Sequence, residues 1–237
     1  MGHIIVFGAG GRVGRAAVSE AAARGHEVTA VVRDPGRHPD LAADGMTVVP
    51  GDATDGAAVA RLAAGHDAAV NAAARLDVPA EEFFTGAAEA MVTGLTEAGV
   101  RRFLTLGIAS TLETSPGVRV MDDPGFPEPY RVFSQGHVAE FDVLRRAPEE
   151  LDWLMVVPPM DLDAEAPRTG SYRTARGRLI DGGGRIAHGD LAVALLDEIE
   201  RPRHRRIQLA VAGEVPSLAR NPVTDPVLFR TAGPGRT

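Results

Sequence analysis

Gly8, Gly11 and Gly14 stand three residues apart in Gly8-Ala9-Gly10-Gly11-Arg12-Val13-Gly14, directly after the apolar run His3–Phe7. The spacing reads G-x-x-G-x-x-G; the frame G-x-G-x-x-G fails at Val13. Strand, glycine turn and helix in that order can cradle a phosphate. Glycines let the backbone approach a pyrophosphate, and the helix N-terminus offers unpaired N–H groups with a partial positive charge. The Ala-rich stretch Arg15–Arg24 supplies the helix and Gly25 its stop. This places Gly8, Gly10, Gly11, Arg12, Val13 and Gly14 against a dinucleotide.

The ribose is read about 20 residues beyond such a loop. There the apolar run Glu27–Val32 ends in Arg33-Asp34. An acid at that place favours NAD, and an arginine favours the 2′-phosphate of NADP. Arg33 with Arg12 makes a plausible dianion site, so NADPH is expected ahead of NADH. The alternative is that both arginines are solvated surface charges. In Gly51-Asp52-Ala53-Thr54-Asp55, Asp52 is placed to accept from the adenine amino group, beside the small Ala53. Asp55 is the better candidate for a helix cap. Asn71 and Ala72 end the fourth apolar run, where small residues let a cofactor lie against the backbone.

Groups able to handle a proton follow the fifth run. Ser110 and Thr111 lie in the loop after Arg102–Leu106, and Tyr130, Ser134, His137 and Phe141 recur at helical spacing. Tyr130 or His137 is the expected proton donor, with Ser110 and Thr111 assisting. The plainer reading of His137 is a satisfied, partly buried histidine. All 25 basic residues of the Lys-plus-Arg count are arginines. A Schiff base, a Walker lysine and a Tyr-x-x-x-Lys dyad are therefore excluded. Without that lysine Tyr130 lacks the neighbour that the usual relay relies on. It can orient a carbonyl or donate a proton, and is a poor base at neutral pH.

These residues need a scaffold. Short apolar runs at Glu27–Val32, Thr47–Val49, Asp67–Val70, Arg102–Leu106 and Trp153–Val157 alternate with helical patterns at Asp55–Ala64, Ala80–Ala98 and Tyr130–Ala147. That alternation predicts βαβ units and a doubly wound parallel sheet with both faces covered. Ser171–Ile180 reads as extended, Gly189–Glu200 as a helix and Arg206–Val211 as a last strand. Residues 1–212 form one domain, with about 158–212 contributing a substrate lobe, and 213–237 read as a Pro/Gly-rich tail. Pro116–Pro129, with four prolines and two glycines, reads as a lid over the strand ends. Arg168, Tyr172 and Arg173 in the lobe are candidates for an acidic substrate, with surface positions as the commoner outcome.

Composition closes other routes. The 237 residues carry no cysteine, which excludes thiol catalysis, disulfides and Cys-ligated metal. A net charge of −7 argues against nucleic acid as a partner. The seven histidines lack ligand spacing, so no metal is expected. No run approaches the roughly 18 apolar residues of a membrane span. A soluble, cytoplasmic protein acting on a small molecule is expected, with no membrane partner.

Several stretches together resemble the atypical short-chain dehydrogenase/reductases of the NAD(P)-binding, NmrA-like and flavin-reductase-like group. They are Gly8–Gly14, Val32-Arg33-Asp34-Pro35, Gly51–Asp55, Arg102–Gly107, Thr111-Leu112-Glu113, Phe126-Pro127-Glu128, Leu151-Asp152-Trp153, Arg168-Thr169-Gly170 and Asp190–Ala194. The resemblance covers roughly residues 3–212. It implies a Rossmann-like domain holding NAD(P)H, a small C-terminal lobe over the substrate, and Pro158 in a turn beside the nicotinamide. The chain departs from the group where Gly107-Ile108-Ala109-Ser110-Thr111 replaces a Gly-Gly-Ala-Gly-Ser-like turn, and where Ser134 stands four residues after Tyr130. The expected activity is an NADPH-dependent reductase passing hydride to a ketone, quinone or flavin, including a biosynthetic ketoreductase. The alternative is a non-catalytic NmrA-like sensor of nucleotide redox state.

Overall fold

A computed structural model of the chain describes residues 1–42 and 46–214. Eight strands form the main sheet: β1 (His3–Phe7), β2 (Glu27–Val32), β3 (Met46–Pro50), β4 (Ala68–Asn71), β5 (Arg102–Leu106), β8 (Asp152–Val157), β10 (Tyr172–Arg176) and β12 (Gln208–Gly213). Two small pairs stand outside it: β6 (Glu113–Ser115) with β7 (Val118–Arg119), and β9 (Asp161–Asp163) with β11 (Arg185–Ala187). The helices are α1 (Arg12–Ala23), α2 (Gly56–Ala63), α3 (Ala80–Ala98), α4 (Glu128–Arg145) and α5 (His188–Glu200).

The sheet order is β10-β12-β8-β5-β4-β1-β2-β3, parallel except for β10 against β12. Successive side chains of a strand point to opposite faces. Ile4 and Val6 therefore pack with Ala17 and Val18 of α1 and Leu191 and Leu195 of α5. Ile5 and Phe7 pack with Met91 and Leu95 of α3, Val59 of α2 and Leu144 of α4. Both faces are covered, which is why the strands read as unbroken apolar runs. β1 runs on to β2 and β3 on one side, while β4, β5 and β8 extend the other way. The order reverses between β1 and β4, the kind of switch point outside whose carboxyl ends open α/β sheets bind their ligands.

Most element ends shift by one or two residues from expectation, and three differences bear on the site and its lobe. α1 begins at Arg12 rather than Arg15, so the end of the glycine loop is already the first helical turn. Within 158–212, β10 and β12 extend the main sheet, α5 covers it beside α1, and the separate β9–β11 pair packs Ile186 and Leu162 against the same core. The tail predicted from residue 213 loses Gly213 to β12, and residues 215–237 lie outside the described part.

Candidate functional site

Three of the loop's four glycines hold the G-x-x-G-x-x-G positions, and they are not all glycine for the same reason. Gly8 has φ +73°, and a Cβ on it would lie 2.4 Å from the Ala73 nitrogen. A Cβ on Gly14 would lie 2.2 Å from the Gly8 carbonyl oxygen. Both are demanded by the fold. Gly11 is the N-cap of α1 at φ −75°, open to any residue, and its Cβ would meet nothing closer than the Gly8 oxygen at 3.4 Å. The missing side chain at Gly11 leaves open space over the head of α1. That first turn carries no acidic residue and no side-chain cap, so its N–H groups lack partners from the protein's own side chains. An NAD(P) pyrophosphate fits this cradle in size and in charge.

At the adenosine end, Arg12 and Arg33 are exposed, and neither guanidinium has a hydrogen-bond or ion-pair partner among the described residues. Asp34 is placed otherwise: its Oδ1 accepts the Gly36 N–H at 3.0 Å and caps the short turn Pro35–Arg37. Asp52 accepts the N–H and hydroxyl of Thr54 at 2.9 and 2.8 Å. Burial pushes its carboxyl up, but the Thr54 bonds and the charge of Arg33 together hold it below the usual range. Ala53 is buried beside it. Asp55 caps α2 through the Ala58 N–H, as its position predicts. Buried Asn71 accepts the Ala73 N–H at 3.1 Å and sets Ala72–Ala73 against Gly8.

At the opposite end of the site the polar groups are engaged with one another. Ser134 Oγ donates to the Tyr130 carbonyl at 2.6 Å. A hydroxyl has one proton, so Ser110, 2.7 Å away, donates to Ser134. Thr111 donates to the Ile108 carbonyl at 2.9 Å and accepts from Gln208 Nε2 at 3.1 Å, and so does not join that pair. His137 is 4% exposed, its ring 3.8 Å from that of Phe84. Its Nδ1 lies 2.8 Å from Glu140 Oε2, and Glu140 Oε1 accepts from Thr105 at 2.8 Å. Tyr130 is 39% exposed at the head of α4. Pro158 is buried just after β8.

The predicted lid, Pro116–Pro129, holds β7, a 3-10 turn at Val120–Asp122 and the first two residues of α4. Arg131 of α4 ties it down, donating to the carbonyls of Met121, Asp123 and Phe126. The lobe arginine Arg168 holds Glu20 of α1 through two 2.8 Å bonds. Sequence reasoning missed Glu140 and Thr105, partners of His137, although the i,i+3 spacing of His137 and Glu140 was readable.

Among the described residues no helix is long and apolar enough to cross a membrane, and no group of three or more His, Asp or Glu is set to hold a metal ion. A protein of Burkholderia pseudomallei, called a candidate exported protein, is 35% identical, with TM-score 0.79 over 90% of this chain and 100% of its own. A candidate epimerase from Bacteroides thetaiotaomicron is 30% identical, with TM-score 0.81 over 92% and 99%. A candidate NADH-flavin reductase from Streptococcus pneumoniae is 26% identical, with TM-score 0.77 over 90% and 100%. The family model described as NAD(P)H-binding matches residues 8–202, which include the open glycine, the adenosine-end arginines and the hydroxyl cluster, and the chain belongs to that family.

Proposed function

We propose that this protein is an NADPH-dependent reductase that passes hydride to a ketone, quinone or flavin-type acceptor. The carrying observation is Gly11: the fold tolerates a side chain there, yet the position is bare beside unpaired N–H groups. NADPH is favoured over NADH because Asp34 is engaged in its turn while neither Arg12 nor Arg33 has a hydrogen-bond or ion-pair partner among the described residues.

When bound, the nucleotide supplies the hydride; the protein supplies position and charge. The head of α1 holds the pyrophosphate, Arg12 and Arg33 the 2′-phosphate, and Asp52 the adenine amino group. Ala72 and Pro158 shape the nicotinamide end. Tyr130 orients the acceptor oxygen by donating a hydrogen bond, and Ser110 with Ser134 fixes the loop beneath it. The relative called a candidate NADH-flavin reductase supports a flavin-type acceptor. Ile108 and Ser110, in place of glycines, suit the tailored pocket of a biosynthetic ketoreductase.

A sensor without turnover is the second reading. It is favoured by Ser110, Thr111 and His137, all buried and already bonded within the protein. Steady oxidation of NADPH with any member of a quinone, flavin and ketone panel supports the reductase. Nucleotide binding without turnover establishes the sensor, and no nucleotide binding removes both.

A further inference from the structure

After β2 the chain turns back across the glycine loop through two short 3-10 turns, Pro35–Arg37 and Pro39–Leu41. Arg15 of α1 braces that return. Its Nε donates to the Gly10 carbonyl at 3.1 Å and its terminal nitrogens pair with Asp40. Its Nη2 also lies 3.0 Å from His38 Nδ1. A guanidinium only donates, so His38 Nδ1 accepts, and the neutral ring carries its proton on Nε2.

That ring rests on the glycine loop. A Cβ on Gly10 would lie 2.4 Å from His38 Nε2 and 2.6 Å from Cε1. Gly10 is bare because the imidazole fills its side-chain space. The Nε2–H has no acceptor among the described residues. It stands on the segment leaving β2, the side on which the adenosine ribose is read.

We propose that His38 donates its Nε2–H to the 2′-phosphate of NADPH, with Arg15 and Asp40 as the positioning residues that fix its tautomer and angle. This rests on the NADPH reading above. Arg12 and Arg33 supply charge to the phosphate; His38 supplies one directional donor whose other nitrogen is already held.

The test is calorimetric titration of NADPH and NADH into the wild type, His38→Ala, His38→Gln and Asp40→Asn. His38→Ala should weaken NADPH about tenfold or more and leave NADH within about twofold, as expected for one hydrogen bond to a charged group. The glutamine amide nitrogen reaches the place of Nε2, so His38→Gln should recover most of the loss. Asp40→Asn should cost NADPH alone a smaller factor. Equal losses for both nucleotides, unchanged NADPH affinity, or a glutamine variant as weak as the alanine would each overturn the assignment. An equal loss in Asp40→Asn removes the positioning role of Asp40. A wild type that binds neither nucleotide, or prefers NADH, removes the NADPH reading itself and this inference with it.

Discussion

The two ends of the site differ in what folding has left unpaired. At the adenosine end, Gly11 is bare without structural need, the head of α1 lacks a side-chain cap, and neither Arg12 nor Arg33 has a hydrogen-bond or ion-pair partner among the described residues. At the hydride end, Ser110 donates to Ser134, Thr111 to the Ile108 carbonyl, and His137 is held by Glu140 and Thr105. Exposed arginines are satisfied by water, so it is the bare Gly11 and the uncapped head of α1 that carry the nucleotide proposal at the first end. The second is largely a frame, with Tyr130 standing exposed at its edge.

The strongest way to break this comparison is Gly11→Val. A branched side chain would fill the cradle, so NADPH binding should be lost while the melting temperature holds. Gly14→Ala should do the reverse and destabilise by about 1–3 kcal/mol through overpacking. Unchanged NADPH affinity in Gly11→Val would show that the cradle is not used. At the hydride end, Tyr130→Phe removes one hydroxyl and should slow turnover by about 10²–10⁴-fold. Thr111→Val should lower stability with little change in rate. Near wild-type turnover in Tyr130→Phe would assign the proton to solvent. Arg33→Ala should weaken NADPH by roughly 1.5–3 kcal/mol, one to two decades, and spare NADH; equal wild-type affinities would make Asp34 the ribose ligand instead.

The smallest effect separates a paired arginine from the unpaired ones. Glu20 is held below the usual carboxylate range chiefly by its bonds to Arg168, against burial and with help from Arg24. A depressed folded value means stability that is present above the unfolded value, about 4.3, and lost as pH falls through the folded one. Glu20→Gln should therefore flatten the acid limb of the stability profile and leave NADPH affinity untouched. Parallel wild-type and variant profiles across that limb would show that the pair contributes nothing.

Much of this was legible in the chain. The strands at Glu27–Val32 and Arg102–Leu106 and the helix Ala80–Ala98 run as their periodicity and flanking turns predict. Such signals are local. The first turn of α1 was not, because Arg12-Val13-Gly14 has no apolar stripe and is helical only through the loop behind it. Nor were the partnerships that give residues their roles: Arg168 with Glu20 is 148 residues apart, and Gln208 with Thr111 is 97. The glycine pattern pointed to a phosphate site, but not to which of its glycines the fold leaves open; that needed the space around each Cα.

The hold of Arg131 on the lid has an evolutionary consequence. It grips the main-chain oxygens of Met121, Asp123 and Phe126, and main-chain oxygens are the same whatever amino acid stands there. The attachment survives replacement of the side chains it spans, apart from the Phe126 ring that lies under the guanidinium. Descendants of this chain can exchange residues along this segment without losing its attachment to α4. A library randomised at Val118, Asp122 and Asp123 should keep its fold in most members, whereas one randomised at Arg131 should not.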